Sequence, residues 1–199
     1  MIQPWTQLDS VALGDFKVFR LRKDLKRSPR TGLPHEFYVL ETVDWVNVVA
    51  LTPDDQVVLV EQYRHGTGTV ELEIPGGLMD AGDSSPIDTA LRELREETGY
   101  TGRRARIIGE VLPNPAIQNN RTYTVLVEDC QKTHAVELDQ GEDIVTHLVP
   151  IAHLAQMVAS GRIRHCIVVA ALYHFELWRQ GLHRLHAPAS TREAGSSTA

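Results

Sequence analysis

Cysteine is scarce in this sequence. Only Cys130 and Cys166 occur in 199 residues, which is too few for a disulfide framework, and their spacing matches no metal-binding pattern. We therefore expect two buried free thiols. Nine histidines are present, but none forms an HExxH pattern or another zinc spacing. His165 and His174 are accordingly interpreted as structural residues.

Long hydrophobic runs and an excess of basic residues are also missing. No apolar segment approaches the roughly 20 residues that a membrane-spanning helix needs, and the N-terminus lacks the basic and apolar pattern of a signal peptide. The net charge of −6 disfavours a surface that coats nucleic acid, because such a surface needs clustered lysine and arginine. We expect a cytoplasmic protein with neither membrane nor nucleic acid as a partner.

The composition is that of a globular domain. Hydrophobic residues make up 42% and charged residues 23% of the chain, so 199 residues can form one domain with a sizeable core and a small appended subdomain. The residues from Ala187 onward are small and polar and predict a disordered tail. The stretch 72–100 stands out, because it predicts a strand, a glycine turn, a loop and an acidic helix in succession.

Other segments predict the scaffold around this stretch. Two extended segments joined by a polar turn are expected between Phe16 and Leu40. Trp45–Leu51 and Gln56–Tyr63 are expected to form a hairpin of the main sheet, because Thr-Pro-Asp-Asp separates them. Further strands are predicted at 105–112, 122–128 and 144–149, and helices at 151–160 and 165–180.

The acidic helix places three carboxylates on one face. It is predicted to begin at residues 85–86, where a serine can cap free amides and a proline loses no hydrogen bond, and to end at Gly99. Glu93, Glu96 and Glu97 have the spacing i, i+3 and i+4, so their side chains are neighbours. Like charges at this spacing repel each other, which calls for a compensating charge.

Two interpretations of this acidic face compete. In one, it is a solvated surface paired with Arg92 and Arg95. In the other, it binds a hard divalent cation, which prefers carboxylate and carbonyl oxygens. The Pro-Gly-Gly sequence at 75–77 favours the cation, because glycine lets the backbone approach a ligand closely and Gly76 offers a carbonyl oxygen.

The whole segment resembles the Nudix box, which is a glycine, five residues, an acid, seven residues and then Arg-Glu-hydrophobic-x-Glu-Glu-x-Gly-hydrophobic. Gly77, the run 92–99 and Tyr100 match this pattern. Two departures occur, because the first acid is Asp83 rather than glutamate and eight residues separate it from Arg92. The extra residue lies before the helix cap, so we expect the acidic face to be undisturbed.

This resemblance implies an α/β fold, the Nudix α/β/α sandwich with a mixed sheet and a small N-terminal β-subdomain. Residues 1–44 would form this subdomain, which is often exchanged between subunits in members similar to ADP-ribose pyrophosphatase. Residues 45–186 would form the Nudix hydrolase domain, and 187–199 the disordered tail. A homodimer is also expected because a two-stranded unit cannot bury its own faces.

The implied activity is hydrolysis of the pyrophosphate bond of ADP-ribose or a related nucleoside diphosphate sugar, with Mg²⁺ as cofactor and Mn²⁺ as the alternative. The products would be a nucleoside monophosphate and a sugar phosphate. The stretches DWVNV, QYR and NPA resemble this subfamily. The alternatives are Nudix enzymes acting on dinucleoside polyphosphates, coenzyme A or damaged nucleoside triphosphates, and a non-catalytic sensor that binds ADP-ribose.

The resemblance also implies roles for residues of the acidic helix. Glu93, Glu97 and the Gly76 carbonyl would bind the metal, with Glu96 assisting. Arg92 would orient Glu96 through an i, i+4 charge pair.

Further residues would bind substrate or accept a proton. Trp45, Arg64, Glu73 and Asn114 would line the substrate cleft. For three of these positions a plain alternative remains open: a rim arginine in water, a solvent-facing carboxylate and a structural turn asparagine. The general base is predicted to be Glu142 in a late acidic loop, with Asp139 and Asp143 as the alternatives.

Overall fold

The computed structural model of the protein describes residues 1–182. The tail predicted for 187–199 therefore lies outside the described residues, as do the last positions of the predicted domain 45–186. Within residues 1–182, no helix is both long and apolar enough to cross a membrane.

The N-terminal unit is an antiparallel sheet of three strands in the order β1-β2-β3. These are β1 (Thr6–Asp15), β2 (Arg20–Arg27) and β3 (Pro34–Glu41). Two strands were expected, so the prediction missed β1, in which register shifts at 7/9 and 12/14 break the alternation of polar and apolar residues. The segment 16–19, predicted to begin the first strand, is instead the turn between β1 and β2, with Lys17 at φ 66°.

The remaining described residues contribute nine strands and three helices. They are β4 (Trp45–Ala50), β5 (Gln56–Arg64), β6 (Thr69–Glu73), β7 (Gly76–Leu78), α1 (Pro86–Thr98), β8 (Tyr100–Thr101), β9 (Arg104–Val111), β10 (Thr122–Glu128), β11 (Gln131–Lys132), β12 (Ile144–Pro150), α2 (Ile151–Ala159) and α3 (Cys166–Arg179).

Two main sheets form the centre of the molecule. One is mixed, with the order β7-β4-β10-β9 and a parallel pair β4/β10, and the other is antiparallel, with the order β12-β5-β6. The predicted hairpin of β4 and β5 is wrong, because these strands belong to different sheets and are joined only by an isolated bridge between Leu51 and Val57. Both strands are buried on both faces, so each is a central strand with two other neighbours.

Helices cover the two faces of this centre. Along β4, Val46 and Val48 pack in a cluster with Ala90 and Leu94 of α1, whereas Val49 packs in a second cluster with residues of α2 and α3. Alternate residues of one strand thus contact opposite helical layers, as the pleat of a strand requires. The expected α/β/α sandwich with a mixed sheet is confirmed.

The two cysteines differ in their environments. Cys130 is buried, and burial raises the pKa of its thiol to about 12. Cys166 is exposed, so the expectation of two buried thiols is wrong for this residue. Its position explains the difference, because it begins α3 and lines a surface cavity.

Candidate active site

Helix α1 begins and ends where the sequence predicts. Ser85 is the N-cap, and its hydroxyl accepts a hydrogen bond from the backbone of Asp88 at 3.3 Å. Pro86 follows at the first helical position. Gly99 ends the helix in the left-handed conformation at φ 74°, and its N–H donates to the Arg95 carbonyl. These caps fix the helical phase and hence the direction of its carboxylates.

Arg92 is the hub of the acidic face. Its guanidinium donates to Asp83 Oδ2 at 2.9 Å, to Glu93 Oε1 at 2.9 Å and to Glu96 Oε2 at 3.1 Å. It also donates to the Leu78 carbonyl at 3.2 Å. The expected pair of Arg92 with Glu96 is therefore present, and the same arginine binds two further carboxylates and the backbone of β7.

Asp83 belongs to this network despite the extra residue before the helix. The hydrogen bond from Arg92 is the main cause that lowers the pKa of Asp83 to about 2, and Thr89 and the Asp80 backbone add to it. The departure from the Nudix spacing therefore lengthens the loop without detaching its carboxylate from α1.

Glu97 also contacts the backbone of β7. Its residue is only 3% exposed, and its Oε2 accepts a hydrogen bond from the Gly76 N–H at 3.1 Å. A methyl group at Gly76 would overlap the Val46 carbonyl, and one at Gly77 would overlap the Glu93 carboxylate. Glycine at 77 thus lets α1 lie directly against β7, and glycine at 76 lets β7 pair closely with β4.

Two carboxylates of α1, Glu97 and Glu93, have raised pKa values. Burial raises the pKa of Glu97 to about 8, and the nearby Glu93 adds to this rise. Burial likewise raises the pKa of Glu93 to about 7, although Arg92 opposes it. Oxygen ligands that are short of positive charge suit a hard divalent cation.

The carboxylates of the acidic face do not form a complete coordination sphere for a metal ion. In the described part of the chain, no three histidine, cysteine, aspartate or glutamate side chains converge as metal ligands. Arg92 Nη1 instead bonds both Glu93 and Glu96. The donor set fits a divalent cation in the chemistry of its oxygen atoms, but the described side chains do not form a ready-made metal site.

A second network holds the predicted substrate residues Arg64 and Glu73. Arg64 Nε and Nη2 donate to the two Glu73 oxygens, each at 2.9 Å, and His165 Nδ1 donates to Glu73 Oε2 at 2.8 Å. Burial alone would raise the pKa of Glu73, but the hydrogen bonds from His165 and Arg64 hold it at about 2. Glu73 is 2% exposed, so the alternative of a solvent-facing carboxylate is wrong.

Trp45 stands beside this network. The Arg64 guanidinium carbon lies 5.9 Å from the centre of the Trp45 ring. The indole N–H donates to Asn47 Oδ1 at 2.9 Å, and Asn47 Nδ2 donates to the Ile167 carbonyl at the start of α3, also at 2.9 Å. The ring is thus held in one orientation. The sequence analysis did not predict this contact of Asn47, although an asparagine inside the apolar run WVNVVA indicates a buried polar contact.

A cavity of about 460 Å³ joins these residues. Trp45, Arg64 and Asn114 line it together, whereas Glu73 lies behind Arg64 and lines a neighbouring cavity. The cavity also includes Leu78, which follows the two glycines of β7. The structure therefore brings the predicted cleft residues beside the strand that contacts the acidic face.

Glu142 is exposed in the loop between β11 and β12. Its Oε2 accepts a hydrogen bond from the Asp139 N–H at 3.1 Å. Its charge adds to the effect of burial on the pKa values of Glu93 and Glu97. Glu142 is therefore within electrostatic reach of the acidic face, and its role as the base stays a prediction, as do the alternatives Asp139 and Asp143.

Comparisons with known proteins agree on one family. The family model described as the NUDIX domain matches residues 42–166. An ADP-ribose pyrophosphatase of Mycobacterium tuberculosis is 30% identical over 166 residues, which cover 83% of this chain and 80% of the relative. An ADP-ribose pyrophosphatase of Bacillus subtilis is 29% identical over 66% of this chain and 71% of its own length.

A solved structure of an ADP compounds hydrolase has the same fold. It superposes with a TM-score of 0.80 at 23% identity, covering 93% of this chain and 99% of that chain.

The raised pKa of Glu97 predicts how the stability of the metal-free protein depends on pH. In the folded protein this pKa is about 8, above the ordinary value of 4.5. Protonation of Glu97 therefore stabilises the folded state fully below pH 4.5, and this stabilisation is lost as the pH rises through 8. We expect Glu97→Gln to raise the free energy of unfolding by about 1–3 kcal/mol at pH 8.5, and the gain to shrink toward pH 5.

Urea unfolding with a chelator present, at pH 5, 7 and 8.5, measures this effect. Glu96→Gln is the matched control, because it removes a carboxylate from the same helix at a more exposed position that is paired with Arg92, and it should not stabilise. A Glu97→Gln protein that is less stable than the parent at pH 8.5 would contradict the charge assignment.

Proposed function

Because the chain belongs to the Nudix hydrolase family, we propose that it hydrolyses the pyrophosphate bond of ADP-ribose or a related nucleoside diphosphate sugar. The products would be a nucleoside monophosphate and a sugar phosphate. One observation carries this proposal: the partly buried Glu93 and the buried Glu97 lie against β7, and the cavity of Trp45 and Arg64 includes the end of the same strand. The names of the two pyrophosphatase relatives support the choice of substrate.

The acidic face would hold the metal ion. Glu93, Glu97 and the Gly76 carbonyl are the proposed ligands, with Glu96 assisting. When bound, Mg²⁺ or Mn²⁺ would withdraw charge from the phosphoryl oxygens and lower the pKa of water. Glu93 is held by Arg92 in the described structure, so Arg92 keeps the carboxylates in position and balances part of their charge.

The second network would hold the substrate. Glu73 fixes Arg64 by two hydrogen bonds and leaves Arg64 Nη1 for a phosphate oxygen or a ribose hydroxyl. The Trp45 ring, held by Asn47, offers an apolar surface to the nucleoside or the sugar. Asn114 would contribute an amide at the rim of the same cavity.

Purified protein incubated with a panel of nucleotides tests the proposal. With Mg²⁺ we expect ADP-ribose to yield AMP and ribose 5-phosphate, and EDTA to stop the reaction. Glu97→Gln should remove most turnover while the protein stays folded, and Mg²⁺ should stabilise the parent more than this variant.

The other members of the panel discriminate among the alternatives. Turnover of a dinucleoside polyphosphate, coenzyme A or a damaged nucleoside triphosphate, with no nucleoside diphosphate sugar cleaved, would replace the proposed substrate. Binding of ADP-ribose without any product would indicate a sensor. Full activity of Glu97→Gln at saturating Mg²⁺ would remove Glu97 from the metal ligands.

Glu142 would accept the proton of the attacking water. The helix carboxylates are poor proton acceptors once they bind cations, whereas Glu142 lies in a separate loop within electrostatic reach of Glu93 and Glu97. We expect Glu142→Gln to lower kcat by roughly 10²- to 10⁴-fold, the loss typical of a general base, while substrate binding persists. Asp139→Asn and Asp143→Asn are the matched controls. Normal turnover of Glu142→Gln with loss in either control would move the base to that residue.

We also propose that the protein is a homodimer that associates through the N-terminal sheet. Nearly every residue of β1 is exposed, and large apolar side chains of this sheet face outward on more than one strand, among them Leu8, Val11, Phe37 and Tyr38. Exposed apolar patches of this kind mark protein interfaces. A second copy would cover surface that a three-stranded sheet cannot bury by itself.

Light scattering at micromolar concentration should therefore give twice the chain mass of 22.2 kDa. Val11→Glu should shift the protein toward the monomer, because a charge on β1 would be buried on association. Val145→Glu, at a somewhat more exposed position of β12, is the control and should leave the mass unchanged. A monomeric parent protein that hydrolyses its substrate would contradict the dimer.

A further inference from the structure

Two buried polar atoms at one end of β10 have no hydrogen-bond partner in the described structure. They are Asn120 Oδ1 and Thr122 Oγ1, and their residues are only 7% and 1% exposed. A buried polar group without a partner costs about 1–3 kcal/mol, and such groups are rare in folded proteins. Both residues line the cavity of Trp45 and Arg64, which suggests that a ligand supplies the missing partner.

The fold fixes these atoms at the wall of the cavity. Thr122 begins β10 and pairs with Trp45 of β4 in parallel register. The backbone N–H of Trp45 donates to the Arg121 carbonyl at 2.9 Å. Residues in register on adjacent strands point to the same side of a sheet, so Thr122 and Trp45 lie side by side on one wall of the cavity. Asn120 precedes the strand and borders the same space.

The chemistry of the cavity distinguishes among the parts of a nucleotide sugar. Asn120 Oδ1 is an acceptor, and the Thr122 hydroxyl both donates and accepts, which matches the hydroxyl groups of a sugar. A base would stack best between two flat surfaces. Trp45 supplies the indole ring among the residues that line this cavity, and the Arg64 guanidinium already lies near that ring. A sugar can place its carbon face on the ring and its hydroxyls toward the polar wall.

Resting on the proposed function, we infer that Asn120 and Thr122 form the subsite for the sugar hydroxyls of the nucleoside diphosphate sugar. They select substrates that carry hydroxyl groups at this position, because a substrate without them leaves both buried atoms unpaired.

Thr122→Val tests the inference with a side chain of nearly the same shape. Kinetics with ADP-ribose should show kcat/KM lowered by about 3- to 10-fold, the effect of one neutral hydrogen bond. Thr122→Ser keeps the hydroxyl and should retain activity close to that of the parent. The substrate-free Thr122→Val protein should be as stable as the parent or more stable, because the substitution removes an unpaired polar atom.

Thr124→Val is the matched control. Thr124 follows two positions later on the same face of β10 and is equally buried, but it is not among the residues that line the cavity. This variant should leave kcat/KM for ADP-ribose unchanged. If Thr122→Val instead destabilises the substrate-free protein and leaves kcat/KM unchanged, the hydroxyl has a structural role and the inference is wrong.

Asn120→Leu with two series of substrates tests which part of the ligand binds here. In the first series the base is constant, and ADP-ribose is compared with its analogue in which the terminal ribose lacks one hydroxyl. In the second the sugar is constant, and ADP-glucose is compared with UDP-glucose. Asn120→Leu should reduce the preference for the hydroxylated sugar about 3- to 10-fold and leave the preference between bases unchanged.

The outcomes of these experiments test the sugar subsite and the proposed function separately. A change in the base preference alone would overturn the assignment to the sugar. A parent protein that cleaves none of these substrates would refute the proposed function itself. A parent that cleaves them with both variants unaffected would refute only the subsite.

Discussion

The ion pairs of Arg92 are the interaction on which the acidic face depends. One guanidinium contacts a loop carboxylate at Asp83, two helix carboxylates and the Leu78 carbonyl of β7. It therefore joins three separate segments at the point where negative charge accumulates. Removing it would leave several carboxylates without their counter-charge, which costs more than the loss of one exposed salt bridge.

A second network of ion pairs, centred on Glu73, lies beside the cavity of Trp45. Glu73 lies between Arg64 and His165, so one inaccessible carboxylate fixes the direction of two cationic or polar groups. The two networks are built differently, because the first places one cation among several acids and the second places one acid between two donors. The first leaves negative charge in excess, and the second presents an arginine to the cavity that Trp45 lines.

Local signals in the sequence were sufficient for α1 and its caps, for most strands and for the family. Ser85, Pro86 and Gly99 act through neighbouring backbone, and the spacing of Glu93 and Glu97 fixes their common face. Partners across the fold were not predictable in the same way. The contact of His165 with Glu73 joins positions 92 residues apart, and β4 separates from β5 because each strand finds other neighbours. The unpaired atoms of Asn120 and Thr122 become visible only when the surrounding walls are in place.

The parallel pairing of β4 with β10 has a consequence for how the molecule folds. The two strands are held at one end by a hydrogen bond from the Arg121 N–H to Asp44, which spans 77 positions of sequence. Contacts between distant segments must first overcome the entropy of closing a long loop, and they slow folding. Trp45 and Thr122 meet only through this pairing, so this wall of the cavity depends on a contact between distant segments, whereas α1 and the hairpin β5/β6 are built from local contacts.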